Sequence, residues 1–136
     1  MVGQPAVAEQ SGRGTVEFTI AGIRAAQRGV LIVALYDRET AWLQLDSARA
    51  VLRLPVAAES LSVSFNALPY DSIYAVAVIH DRNGNGKMDM RWFPYPKPKE
   101  GGGISNNHVR TGPPEYDRAR FAVTGANEHF RIQMRY

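Results

Sequence analysis

The chain has 136 residues, 45% of them hydrophobic, and 16 Lys and Arg against 13 Asp and Glu give a net charge of +3. That is the size of one domain, and the apolar content excludes a disordered chain. Cysteine is absent, which excludes disulfide stapling, thiol catalysis and cysteine-ligated zinc. The positive charge is spread thinly, so nucleic acid is not expected as a partner, and no apolar run approaches the roughly 18–20 residues of a membrane span.

Taken in chain order, residues 1–13 are expected to form a flexible segment and residues 14–136 a single domain. Ala6-Val7-Ala8 before Glu9 has the small-x-small form of a signal-peptidase site, but no charged or hydrophobic region precedes it. It reads either as a cut just inside a signal peptide or as an alanine-rich start, and no signal peptide is expected within this chain. "TVEFTI" (15–20) alternates, with Val16, Phe18 and Ile20 on one face, which marks a half-buried strand. "VLIVALY" (30–36) is continuously apolar and β-branched, as in a central strand covered on both faces.

Residues 37–47, with Trp42, Leu43 and Leu45 among polar neighbours, read as a loop or one short helix. "ARAVLRLPVA" (48–57) resumes strand character, and Pro55 predicts an edge position or a bulge. "SLSVSFNAL" (60–68) alternates with Leu61, Val63 and Phe65 inward, and "IYAVAVI" (73–79) is a second central strand. The segment from Asp81 to Glu115 holds most of the glycines and prolines, and long irregular segments in compact domains are usually functional or disordered. "RARFAVT" (118–124) and "HFRIQMRY" (129–136), joined by a tight turn, close the chain.

Seven strands with turn signals between them predict an all-β fold, an antiparallel β-sandwich with one long loop (81–116). Its sheet-on-sheet core is expected from Val16, Phe18, Ile20, Leu31, Val33, Leu35, Phe65, Val76, Val78, Phe121, Val123 and Ile132.

Three stretches, "YAVAVIHDRNGNGKMD", "GGGISNN" and "TGPPEYDRARFAV", together resemble an uncharacterised family of small, mostly secreted bacterial proteins. Members pair a similar "HD-NGNGK-D" run with later "SNN" and "GPP" motifs, over about residues 15–136 of this chain. The resemblance implies an extracytoplasmic (periplasmic or secreted) sandwich of the immunoglobulin or prealbumin type and implies no activity. The chain departs from the family pattern at Gly102-Gly103-Ile104, where an aromatic residue is usual, and at His108-Val109-Arg110.

Three constellations carry chemistry. Asp81, Asn83 and Asn85 stand at positions 1, 3 and 5 of a calcium-loop template, with Gly86 at 6, the Lys87 carbonyl at 7 and Asp89 at 9. Position 12, ordinarily a bidentate glutamate, is Trp92, and Arg82, Lys87 and Arg91 add positive charge. A further ligand such as Glu100 or Asp117 would have to complete the site. A tight turn with Asx-type hydrogen bonds and no ion accounts for the same residues. The second constellation, Asn106, Asn107, His108 and Arg110 after a glycine hinge, could fold back over the first and gather His80, Asp81, Asn106, Asn107 and His108. Alternatively, Ser105, Asn106 and Asn107 satisfy backbone groups and pin the loop. The third is aromatic: Trp92, Phe93, Tyr95 and Tyr116, with Trp42 in the other connection, either clasp a ligand or cap the core.

Two classes of function follow. One is a ligand- or partner-binding module that takes a small molecule, glycan or protein through Trp92, Tyr95, Asn106, Asn107 and Tyr116, with calcium ordering the loop through Asp81, Asn83, Asn85, Lys87 and Asp89. The other is a small enzyme whose acid–base site uses His80 or His108 with Asp81 or Asp89. A sandwich does not choose between them.

Overall fold

The computed structural model describes residues 12–70, 72–82, 90–91, 97–98, 101–108 and 114–136. These residues are mostly β, in two principal sheets with one helical turn, α1 (Tyr116–Ala119). The strands are β1 (Arg13–Ala21), β2 (Val30–Tyr36), β3 (Ala50–Pro55), β4 (Ser60–Pro69) and β5 (Ile73–Asp81). They are followed by β6 (Met90–Arg91), β7 (Lys97–Pro98), β8 (Gly102–Ile104), β9 (Phe121–Ala122) and β10 (Asn127–Gln133). One sheet has the order β10-β1-β4 and the other β3-β2-β5-β8, with β9 beside the start of β5; β6 and β7 pair with each other. Of the expected flexible segment 1–13, residues 1–11 lie outside the described residues, while Arg13 already belongs to β1.

Alternation in the sequence becomes burial in the fold. Val16, Phe18 and Ile20 of β1 meet Leu31, Val33 and Leu35 of β2 and Val76 and Val78 of β5 in one cluster between the sheets. All twelve expected core residues belong to it or, for Phe121, pack against it. Ile23, Val63, Leu68, Tyr74 and Met134 complete its buried set. The two apolar strands β2 and β5 are covered on their outer face as well, by a second cluster. There Ala34, Ala75 and Ala77 form a shallow floor under Tyr36, Ala41, Ile104, Tyr116 and Ala119, with Trp42, Leu43 and Leu45 packed against it. Small residues on a strand leave room for ring-sized side chains, which explains alanines where β propensity would favour larger ones. Residues 37–48 are thus a cover for the sheet, built on two 3₁₀ turns, Glu39–Ala41 and Leu45–Ser47.

Three features depart from the expected chain of seven antiparallel strands. The first and last long strands, β1 and β10, run parallel, Phe18 opposite Phe130. Residues 118–124 do not form a hairpin with 129–136: the stretch gives part of α1 and the two-residue β9, which pairs with β5 of the other sheet. The Glu128 carboxylate accepts the Thr124 and Gly125 N–H groups (2.7 and 2.6 Å) and bends the chain between the sheets. Finally, the segment 81–116 is not one loop. β8 runs back along β5, Gly102 opposite Ile79 and Ile104 opposite Ala77, and divides it in two.

Candidate functional site

β8 separates the residues that the sequence reading grouped. His80 and Asp81 end β5, where the His80 N–H donates to the Gly101 carbonyl (3.1 Å). From Gly102 the chain returns along β5, and Ser105 bonds to Val76, five residues before Asp81. At ~3.3 Å per residue that is about 16 Å away. Asn106, Asn107 and His108 therefore lie beyond the far end of β8, not over Asp81. The glycines were expected to make a hinge; Gly102 and Gly103 instead make a strand in the sheet.

At the Asp81 end, His80 is completely buried on the inner-face side of β5, in step with Val76 and Val78. Its Nε2 lies 2.5 Å from the Arg28 carbonyl oxygen and its Nδ1 2.6 Å from the Tyr136 hydroxyl. A carbonyl only accepts, so Nε2 carries the proton and donates it to Arg28. The Tyr136 hydroxyl accepts the Arg24 N–H (3.0 Å) and completes the chain by donating to Nδ1. Every polar atom of the imidazole is thereby engaged. The Arg24 guanidinium sits over the Tyr136 ring, 4.6 Å from its centroid, a cation–π contact of about 0.5–1 kcal/mol at an exposed site. Burial pushes the Tyr136 hydroxyl above its ordinary range, and the Arg24 N–H and the charges of Arg24 and Arg82 oppose this.

Backbone fit is close here. Gly29 has φ +83°, and a Cβ on it would stand 2.4 Å from the Asp81 carbonyl oxygen. Gly101, at φ +100°, would put a Cβ 2.4 Å from the Tyr136 ring. Only glycine meets both demands. Asp81 itself is 1% exposed, a buried acid at the point where the calcium-like run begins. Of the other expected metal ligands, Asn83, Asn85, Lys87 and Asp89 lie outside the described residues, as do Trp92 and Tyr95. Among the described residues no three His, Asp or Glu side chains gather as a metal group.

At the other end, the "SNN" run takes over the role of a strand by side chain alone. Ser105 Oγ accepts the Val76 N–H (3.0 Å) and donates to the Ala119 carbonyl (2.5 Å), so it extends the β5–β8 ladder by one step and ties in α1. Asn106 and Asn107 have φ of 67° and 55°, a left-handed conformation that asparagine tolerates better than most residues. Asn106 Nδ2 donates to the carbonyls of Arg118 and Arg120 (3.2 and 2.9 Å). Asn107 donates from Nδ2 to the Arg131 carbonyl (2.8 Å) and accepts the Gln133 N–H at Oδ1 (2.7 Å). Those two groups flank Ile132, so the amide bonds β10 as one residue of a parallel neighbouring strand would. The run therefore pins the loop. His108 is exposed and lies at this end.

The aromatic residues here form a stack on the second sheet. Trp42 meets Tyr36 (5.3 Å, 74°) and Tyr116 (5.8 Å, 73°) edge to face, and its Nε1–H donates to the Pro114 carbonyl (3.1 Å). Tyr116 is buried and its hydroxyl is raised above the ordinary range, by burial first, with Arg120 opposing and Asp37, Glu39 and Asp117 adding. Tyr36 is fully buried, its hydroxyl has no hydrogen-bond partner among the described residues, and burial pushes it up to about 12. Trp42 and Tyr116 thus cap a core. Asp117, considered as a distant calcium ligand, is exposed and lies beside Arg120 in the short α1, at the end away from Asp81.

Arg24, Arg28, Gly29, Gly101 and Tyr136 have no local signal in the sequence. Their importance arises from contacts across 21 to 112 residues, and only the arginine–glycine turn at 28–29 hints at unusual backbone.

With this geometry in view, the comparison with known families is direct. The chain belongs to a bacterial family described as an uncharacterized protein conserved in bacteria (DUF2141), which matches residues 18–131. No curated protein and no solved structure matches the chain.

Proposed function

We propose that this chain is an extracytoplasmic binding module, a sandwich of the immunoglobulin or prealbumin type. It takes a small molecule, glycan or protein partner through the segment that follows Asp81, and a weak calcium site orders that segment. The observation that carries the reading is the clamp around His80 and Asp81. The imidazole, Tyr136, Arg24 and the 28–29 turn tie down the exit of β5 with hydrogen bonds, as a scaffold must hold a binding loop. A buried Asp81 begins a run of oxygen-bearing side chains at alternate positions, and a desolvated carboxylate is held by donors or by a cation. Affinity in the range of ~10⁻⁴–10⁻³ M is expected, as in extracellular modules.

The acid–base enzyme reading has less support. Both ring nitrogens of His80 are already engaged in structural hydrogen bonds, and His108 is at the opposite end of β5. The test is thermal melting with and without millimolar calcium. A calcium-induced rise in midpoint that Asp81→Ala abolishes supports the calcium site, and no calcium response in the parent protein overturns it.

A further inference from the structure

The two seams where the sheets meet are closed differently. On one, Gly102 and Arg135 exchange both backbone hydrogen bonds (2.9 and 2.8 Å), and the Asn107 amide covers the outer edge of β10. On the other, β3 and β4 end their sheets, and among the described residues nothing pairs with their outer edges. Leu52, Leu54, Val56 and Leu61 lie along this seam, packed on the core but only partly buried.

The two open edges are not equivalent. β3 carries the exposed Arg53, follows Arg49 and ends at Pro55, charge and proline being the usual devices that keep an edge single. β4, "SLSVSFNALP", has no charged residue and no proline before Pro69. Its free backbone groups can be assigned. The Thr15 N–H and the Ala21 carbonyl bond toward β10, so by alternation Val16, Phe18 and Ile20 bond toward β4. Their partners Phe65, Val63 and Leu61 turn their backbone groups back to β1. Ser60, Ser62, Ser64 and Asn66 therefore present theirs to the outside.

We propose that β4 is a dimerisation edge that pairs antiparallel with β4 of a second copy of this chain, about a two-fold axis at Val63. In that register Ser62 faces Ser64, Ser60 faces Asn66 and Leu61 faces Phe65. Hydroxyl meets hydroxyl or amide on the outer face, apolar meets apolar on the core face, and no like charges oppose. The register uses the whole regular stretch, which ends where Ala67 turns to φ 59°. A slip of one residue would set core-facing side chains against outward ones. Self-complementarity is what selects a second copy as the occupant, since an isologous interface needs the same strand to be acceptable on both sides. The result is a continuous sheet in the order β10-β1-β4-β4-β1-β10.

Sedimentation of the full chain from micromolar to millimolar concentration tests this. The parent is expected to dimerise. Ser62→Pro removes an outward N–H without touching the β1–β4 ladder, and Ser64→Lys sets lysines across the axis; each is expected to weaken dimerisation tenfold or more. Mixing Ser64→Lys with Ser64→Glu is expected to restore it, which loss of fold would not allow. A parent that stays monomeric, a dimer unaffected in both variants, or a mixture that stays monomeric overturns the proposal.

Discussion

The two ends of β5 solve the same problem with different chemistry. At its start, Ser105 and Asn107 use short side chains to mimic backbone, extending one sheet and covering the edge of the other. At its finish, one imidazole bridges a turn and an aromatic hydroxyl, and the chain leaves from a buried aspartate. The first end is closed on itself, with Tyr36, Trp42 and Tyr116 packed over it. The second is tied down as well, and Arg82, which follows the buried aspartate, is exposed. Polar residues of the kind that suggest an active site can thus be spent on holding backbone.

Substitutions at the two ends sharpen that contrast. The largest effect is expected for Ser105→Ala, which orphans the Val76 N–H and the Ala119 carbonyl in a buried position. At about 1–3 kcal/mol for each unsatisfied group, a loss of roughly 2–4 kcal/mol is expected in chemical denaturation, with no change in any calcium response. His80→Leu leaves the Arg28 carbonyl and the Tyr136 hydroxyl without their partner. A loss of roughly 2–3 kcal/mol is expected, together with a weakened calcium response, because the exit of β5 loosens. Equal calcium responses in the two variants would erase the distinction between the ends.

The smallest effect has the opposite sign. Tyr36→Phe removes a buried hydroxyl that has no partner among the described residues, so stability is expected to hold or rise by up to about 1 kcal/mol. Its pH dependence follows from a folded value of about 12 against an ordinary 10.0. Above pH 10 the unfolded chain releases this proton first, so the contribution is complete below pH 10 and is lost as pH rises toward 12. The loss amounts to no more than about 3 kcal/mol. Equilibrium unfolding across that window should show a shallower fall in Tyr36→Phe. Tyr116 and Tyr136, also raised, keep part of the fall in place.

Most of the fold was legible because its long strands alternate or run apolar over six residues or more. β1, β2, β4 and β5 read directly, and so did the core between them. β8 was not legible, since Gly102 and Gly103 carry no side chains from which a period can be read. The parallel pairing of β1 with β10 is a contact between distant segments, and no local pattern encodes it. Of the candidate site, the polar residues were identifiable but their grouping was not. Asn106 and Asn107 looked like ligand-binding amides, yet their partners are carbonyls at 118, 120 and 131. His80 looked like a base beside an acid, yet its partners lie at 28 and 136. Burial at 80–81 was foreseeable from the apolar run before it; the tether that explains it was not.

The most direct test of the account is a residue-by-residue calcium titration followed by amide NMR. Shifts are expected at His80 to Arg82 and at the neighbouring Gly29, Gly101 and Tyr136, with Ser105 to His108 and the Trp42 indole unmoved. Shifts centred on Ser105 to His108, or none at any amide up to several millimolar calcium, would contradict the assignment of the Asp81 end as the one that binds.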